Sequence, residues 1–268
     1  MADSSPTRPL ALITGASSGI GEAFARAYAA RGYDLALVAR RKERLETLGA
    51  ELAARYGVSC QAIPVDLAAW EAEKKVMAAL TRPVDVLVNN AGFGIAEDFM
   101  GVPWERQRDF LMTLVVSAVG LAHLVLPAMI ERRRGSIVTV ASLVAFSPGA
   151  AGHTLYPAAK TLAVKFSQSL DAELRDKGIK VTAICPGFTR TEFATVNGTA
   201  ELMDQESRRL FQTPEQVAEI AIRANESGRV VVVPGWHNQL AAILLHYLPQ
   251  PLVSAIVRAG SAKYRVKT

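Results

Sequence analysis

The residues in this sequence best suited to proton chemistry are a tyrosine and a lysine four positions apart, Tyr156 and Lys160. In a helix that spacing puts both side chains on one face. An ammonium within about 4–6 Å of a phenol favours the phenolate and lowers the phenol by roughly one to three units from its usual value near 10. A tyrosine tuned in this way can give a proton to a carbonyl oxygen or take one from a hydroxyl. A Tyr-x-x-x-Lys alone is common in helices, so the reading depends on what surrounds it.

The second feature is a glycine turn, Thr14-Gly15-Ala16-Ser17-Ser18-Gly19-Ile20-Gly21, between an aliphatic run and a stretch carrying Phe24, Tyr28 and alanines. Strand, glycine turn and helix in that order suit a pyrophosphate. Missing side chains let the backbone approach, and the N–H groups opening the helix face the anion. The spacing G-x-x-x-G-x-G departs from the widespread G-x-G-x-x-G. About twenty residues further on, where NAD-selective sites place an acid, the chain has Arg40 and Arg41. A guanidinium there pairs with a 2′-phosphate through two hydrogen bonds, so NADP(H) is the expected cofactor, with NAD(H) also usable. Asp66, after the third apolar run, is placed to accept from an adenine amino group. The plain alternatives are a ligand-free tight turn and two solvated arginines opening a helix.

The same turn, from Gly15 to Gly19, satisfies G-x-S-x-G, the nucleophile elbow of hydrolases, with Ser17 as nucleophile and His237 or His246 as base. Order argues against this. A hydrolase elbow follows several strands that build its oxyanion side, and this one follows the first. A third possibility is a nucleotide-binding protein with little catalysis, acting as a sensor or assembly partner.

Positioning these residues requires an alternating scaffold. Short aliphatic or β-branched runs predict strands at Leu10–Thr14, Leu35–Ala39, Val58–Val65, Val84–Val88, Ser136–Ala141, Ile179–Cys185 and Arg229–Val233. Between them, helical composition predicts helices over Gly21–Arg31, Glu43–Tyr56, Ala69–Leu80, Trp104–Arg133, Tyr156–Lys177 and Pro214–Ser227. The alternation implies βαβ crossovers and one doubly wound parallel sheet, an α/β fold with helices on both faces. No fixed-period repeat and no Pro/Gly-rich linker divides the chain. We expect a flexible tail over residues 1–9, one catalytic domain over residues 10–235 with a substrate lid at about 189–213, and an apolar extension over residues 236–268. The extension holds two apolar segments around Pro249-Gln250-Pro251, neither long enough to span a bilayer. Helices over the substrate mouth, a dimer contact, or a lipid-surface anchor with Arg258, Lys263, Arg265 and Lys267 near headgroups are its readings.

Taken together, the motifs resemble the short-chain dehydrogenase/reductase family from Leu10 to roughly Val233. The family's Thr-Gly-x-x-x-Gly-x-Gly turn is Thr14 to Gly21, its Asn-Asn-Ala-Gly is Asn89-Asn90-Ala91-Gly92, its Tyr-x-x-x-Lys is Tyr156 and Lys160, and its Pro-Gly is Pro186-Gly187. The resemblance implies a Rossmann-type sheet of about seven parallel strands and hydride exchange between an alcohol and a ketone or aldehyde. It also implies cofactor contacts from Asn90, Ala91, Gly92, Pro186, Gly187, Thr189 and Thr191, and from Tyr156 and Lys160 themselves. The family's substrate-binding serine corresponds to Ser142, with Ser147 as a second candidate because the spacing to Tyr156 is one residue long. A helix asparagine that usually holds a water for the lysine falls on Leu114, which cannot do so; Ser117, one turn later, is the substitute to consider. Dimers or tetramers through the two long helices are implied. Phe93, Phe146, Phe188, Phe193, Leu202 and Met203 should line a mostly apolar pocket.

Composition agrees with a folded enzyme. The 268 residues are 50% hydrophobic, enough for a large core, and 30 Lys and Arg against 25 Asp and Glu give +5. The excess fits a solvated surface plus a phosphate pocket, and no nucleic-acid partner is expected. Cys60 and Cys185 lie in β-like runs without metal spacing, so neither a disulfide framework nor a metal site is expected. The start of the chain lacks a secretory pattern. A cytoplasmic location, with peripheral membrane contact as a variant, follows as the expectation.

Overall fold

The computed structural model describes residues 8–149, 154–192 and 211–261, and every structural statement concerns these. Seven strands form one parallel sheet: β1 (Leu10–Thr14), β2 (Asp34–Ala39), β3 (Cys60–Pro64), β4 (Val86–Asn89), β5 (Gly135–Val140), β6 (Ile179–Ile184) and β7 (Val231–Val232). Their spatial order is β3-β2-β1-β4-β5-β6-β7. The helices are α1 (Gly19–Ala30), α2 (Lys42–Tyr56), α3 (Ala72–Ala79), α4 (Trp104–Leu111), α5 (Ser117–Glu131), α6 (Leu155–Leu174), α7 (Pro214–Glu226), α8 (Trp236–Tyr247) and α9 (Gln250–Ser261).

Every residue of β1 is buried, because a parallel sheet carries helices on both faces. Its side chains alternate between two cores. Ala11 and Ile13 join Val88 and Val138 beneath α1, α2 and α7, while Leu12 joins Leu87 and Ile137 beneath α3, α5 and α6. Each fully buried Leu, Ile or Phe contributes on the order of 1.5–3 kcal/mol against an exposed one. The strands at the two ends of the sheet, β3 and β7, are shorter than the apolar runs that predict them. An edge strand has a pairing partner on one side only, and the ladder frays where that partner ends.

The predicted helix Trp104–Arg133 is continuous but unevenly wound: α4 passes through a π turn at Met112–Val116 into α5. By length and composition it could cross a membrane. Its Phe110, Leu114, Leu121, Val125 and Met129 are instead buried against the sheet and α6. The arginines behind it tie chain ends together. Arg132 donates to the Val84 carbonyl at 2.9 Å, Arg133 to that of Asp176 at 2.7 Å, and Arg134 pairs with Asp85 at 3.2 Å. Asp85 in turn accepts from the Leu10 amide. At the other end of that junction the Asp34 amide donates to the carbonyl of Pro9, the residue before β1.

Candidate active site

β1 and β4 are neighbours, and the chain leaves them toward opposite sides of the sheet, which opens a crevice beyond their carboxyl ends. The glycine turn and Asn90 meet there. The Asn90 amide donates to the Thr14 carbonyl at 2.9 Å and the Gly15 carbonyl at 3.3 Å, and Thr14 Oγ1 accepts from the Asn90 and Ala91 amides. Asn90 therefore faces the backbone of the turn. Its side chain holds the turn against β4, the steadying of the sheet that the family resemblance implies of this motif beside its cofactor contact.

This turn fits a pyrophosphate. Gly15 and Gly19 have φ of +67° and +57°, and a Cβ on Gly21 would lie 2.2 Å from the Gly15 carbonyl oxygen. Ser18 caps α1 in extended conformation but its side chain does not bond the first-turn amides, so those donors stay available to an anion. Gly15, Ser17, Ser18, Gly19 and Ile20 are half-buried at the mouth, and Gly21 and Ala16 lie beneath. Thr191 closes over Gly19, within 3.0 Å of a Cβ built there. This brings the segment after Pro186-Gly187 onto the turn.

The arginines divide their work. Arg41 spans the turn, donating to Ser17 Oγ at 3.0 Å and to Ser18 Oγ at 2.8 Å. It also pairs with Glu192 at 3.0 Å, and Arg44 pairs with the same carboxylate at 2.8 Å. Both guanidinium groups hold the Glu192 carboxyl below its usual range. Arg40 is exposed and has no side-chain partner among the described residues. Arg44 and Glu192 escape the sequence reading, because the acid that meets this pair lies about 150 residues away. Asp66 stands two residues beyond β3, exposed, its carboxylate accepting from the Ala68 amide at 3.0 Å. Ser17 is bonded to a guanidinium, which cannot act as a base, and no histidine hydrogen-bonds it among the described residues. The hydrolase geometry is thus not assembled.

On the other side of the crevice α6 carries Tyr156 and Lys160. The Lys160 ammonium is buried, lies 5.7 Å from the centre of the Tyr156 ring, and donates to the Val140 carbonyl at 2.7 Å. Ser142, directly after β5, hydrogen-bonds Tyr156 and accepts from the Val144 amide at 3.4 Å. Ser147 Oγ donates to the Val144 carbonyl at 2.8 Å, so it serves the local turn, and Ser142 is the serine beside the phenol. The expected downward pull on the phenol is not what the protein shows. Burial pushes Tyr156 up to about 12, opposed by the Ser142 hydrogen bond, and burial pulls Lys160 down to about 8. Both groups are taken from water, which disfavours both charged forms, and the ammonium sits over the ring face with its hydrogen bond aimed at Val140.

The remaining expectations fall into place unevenly. Gly92 packs on Leu114, whose Cγ is 3.2 Å from a built Cβ. Ser117 donates to the Leu67 carbonyl at 2.7 Å and is fully buried, so it is committed elsewhere and cannot replace the expected asparagine. The Pro186 carbonyl accepts from the Leu143 amide, and Thr189 Oγ1 donates to the Gly187 carbonyl. Gly187 is wedged by buried Asn238 of α8, 2.4 Å from a built Cβ, so the apolar extension supports this loop. Phe93 contacts Phe110, which contacts Tyr156, and Phe188 contacts Phe211. Phe146 is half-buried near Ala141. Phe193, Leu202, Met203 and most of the anticipated lid lie outside the described residues; the flanks pair through Thr189 and Gln212.

The buried lysine has a pH signature. The unfolded chain still binds a proton between about pH 8 and 10.5 that native Lys160 has released, so native stability gains with rising pH there. Stability of wild type relative to Lys160→Met, from urea unfolding, should rise across that window; a pH-independent difference would refute the burial-depressed lysine.

Comparison with known proteins agrees with this geometry. A model of the short chain dehydrogenase family matches residues 9–202. An uncharacterized oxidoreductase of Myxococcus xanthus is 34% identical over 251 residues, covering 92% of this chain and 96% of that protein. A short-chain dehydrogenase from Sphingobium yanoikuyae, solved in complex with NADPH, superposes with a TM-score of 0.80 at 32% identity, over 92% of this chain and 95% of that one. A bulky-bulky ketone specific alcohol dehydrogenase from Comamonas testosteroni superposes with a TM-score of 0.76 at 29% identity, over 91% and 96%. With a Rossmann-type parallel sheet, the glycine turn and the Ser142, Tyr156 and Lys160 cluster in one crevice, this chain belongs to the short-chain dehydrogenase family of oxidoreductases.

Proposed function

We propose that this protein is an NADP(H)-dependent oxidoreductase that interconverts a hydroxyl and a carbonyl on a lipophilic substrate. The observation that carries the reading is the convergence of Ser142, Tyr156 and Lys160 beside the mouth of the glycine turn. A nicotinamide bound there would supply the hydride. Tyr156, kept protonated at neutral pH by burial, donates its proton to the carbonyl oxygen in the reductive direction. Ser142 Oγ bonds the same oxygen and fixes its orientation. Lys160 places a cation behind the phenol, which steadies the negative charge left on it. The carboxyl-end crevice keeps water from the reacting carbon. A pure nucleotide-binding role gives no reason to assemble a buried lysine and a serine around one phenol.

Aromatic rings near the phenol, Phe110 and, against it, Phe93, support an apolar substrate, as does the likeness to an enzyme described as bulky-bulky ketone specific. We also read the exposed apolar residues of the long helix and of α6, Val116 and Leu162, as an oligomer contact in a homodimer or homotetramer. The outer face of α8 exposes Trp236, Leu240, Ile243, Leu244 and Tyr247 at helical spacing, and every acidic residue of the chain lies at or before Glu226. That face and the basic residues after it suit peripheral contact with an anionic bilayer from the cytoplasmic side.

Three measurements test this reading. Reduction of lipophilic ketones and aldehydes with NADPH should be robust in wild type and fall at least ~100-fold in Tyr156→Phe; no turnover across the panel would leave a binding protein. Replacing Arg40 and Arg41 by Ala should weaken NADPH far more than NADH, Arg44→Ala should do so more mildly, and Glu192→Gln should tighten NADPH alone by removing a competing carboxylate; equal effects on both cofactors would reject the phosphate assignment. In vesicle co-sedimentation, phosphatidylglycerol should retain wild type and lose the Trp236→Ser/Ile243→Ser variant, whereas a lowered oligomeric state in that variant would mark the face as a subunit contact.

A further inference from the structure

Directly after β5 the chain winds into a 3-10 turn, Leu143–Phe146, capped by Ser142. This turn decides where Ser142 Oγ points. Its near end is fastened to the sheet: the Leu143 amide donates to the Pro186 carbonyl at 2.8 Å, and the Ser142 amide donates to the Cys185 sulfur. Inside the turn the Ala145 amide donates to the Ser142 carbonyl at 3.0 Å and the Ser147 amide to the Val144 carbonyl at 3.1 Å. The Val144 amide reaches Ser142 Oγ only at 3.4 Å, longer than the usual range of about 2.7–3.2 Å. The turn's own backbone therefore holds the serine hydroxyl weakly, and its position depends on where the far end of the turn is anchored.

That anchor comes from α6. Thr161 Oγ1 donates to the Ala145 carbonyl at 3.0 Å, between residues 16 positions apart. A hydroxyl on a helix often returns to the carbonyl one turn back in its own helix. Ser167, also on α6, does so, donating to the Ala163 carbonyl at 2.8 Å. Thr161 instead reaches out of the helix, and both it and Ala145 are half-buried, which shields the bond from water. Thr161 directly follows Lys160, so the helix that carries the phenol and the amine also holds the turn that carries the serine. Ser142 hydrogen-bonds Tyr156, so any shift of the turn is felt at the phenol. We propose that Thr161 is a positioning residue of the reaction: through the Ala145 carbonyl it holds the Leu143–Phe146 turn so that Ser142 Oγ and the Tyr156 hydroxyl meet the same substrate oxygen. Such a residue touches neither substrate nor cofactor. Its contribution is preorganisation, since a displacement of about 1 Å in a reacting group can cost on the order of 100-fold in rate. The consequence for the reaction rests on the proposed oxidoreductase reading; the anchoring of the turn does not.

Thr161→Val removes the hydroxyl and keeps the branched shape, and Thr161→Ser keeps the hydroxyl. Should the valine variant fail to fold, Thr161→Ala, a stronger helix former, takes its place in every measurement. With a lipophilic carbonyl that wild type reduces, Thr161→Val should lower kcat about tenfold, and Thr161→Ser should restore it. Its affinity for NADPH, from fluorescence titration, should stay at the wild-type value. A double-mutant cycle separates positioning from general loosening of the fold. If Thr161 works through Ser142, its removal should cost less than about twofold in a Ser142→Ala background, because the group it positions is already gone. Crystal structures should show the Leu143–Phe146 turn displaced in Thr161→Val, with Ser142 Oγ farther from the Tyr156 hydroxyl, and in its wild-type place in Thr161→Ser. An unchanged kcat, a tenfold loss that persists without Ser142, or a turn that stays in place overturns the proposal. A wild type that turns over no carbonyl or alcohol sinks the oxidoreductase reading, and the crystal structures then decide whether Thr161 anchors the turn.

Discussion

A cation enclosed in the layer between sheet and helix sets the terms for this site. Lys160 is surrounded by β5, α6 and the end of β6, with a carbonyl from Val140 as its recorded hydrogen-bond partner. A hydrogen bond to a charged group contributes about 1.5–3 kcal/mol, which does not by itself offset full removal of an ammonium from water. Its cost appears as a lysine pulled down to about 8. The groups beside it share that burial: desolvation raises the Tyr156 phenol, opposed by its hydrogen bond to Ser142, and raises the Cys185 thiol, opposed by the Lys160 charge. Burial therefore holds the proton on the phenol and loosens the one on the lysine.

The opposite wall obeys a steric constraint. The glycine turn must pass within contact of Asn90 and of its own helix, and Gly21 is the tightest point, since any Cβ would enter the Gly15 carbonyl. What results is a mouth whose helix-opening backbone amides are left unbonded by the capping Ser18 side chain. The Arg41, Glu192 and Arg44 cluster then links the turn to the segment following Pro186-Gly187. Because these pairs are exposed, each is worth little in stability, on the order of 0–1 kcal/mol. Their effect is to set which charges an incoming phosphate must displace.

Legibility differed by the range of the interaction. Strands β1, β2, β4, β5 and β6 were readable within a residue or two, because a strand buried on both faces is an unbroken aliphatic run. The motifs Thr14 to Gly21, Tyr156 with Lys160, and Ser142 were readable because their chemistry depends on local spacing. That the Asn90 side chain reaches the Thr14 and Gly15 carbonyls depends on which way an amide points, and spacing does not carry that. The choice of Ser142 over Ser147, the diversion of Ser117 to Leu67 and the arrival of Glu192 beside Arg44 were likewise invisible along the chain.

From its residues alone, the chain determined an alternating α/β scaffold, a phosphate-binding turn, and a phenol and an amine on one helical face. Those follow from periodicity and from backbone geometry, which act over a few residues. Tertiary packing decided that the phenol would be raised rather than lowered, that Asn89 and Thr139 would line the same small cavity as Lys160, and that α8 would wedge Asn238 against Gly187. Desolvation and hydrogen-bond satisfaction depend on what the whole fold brings around an atom, and no window of sequence contains that surrounding.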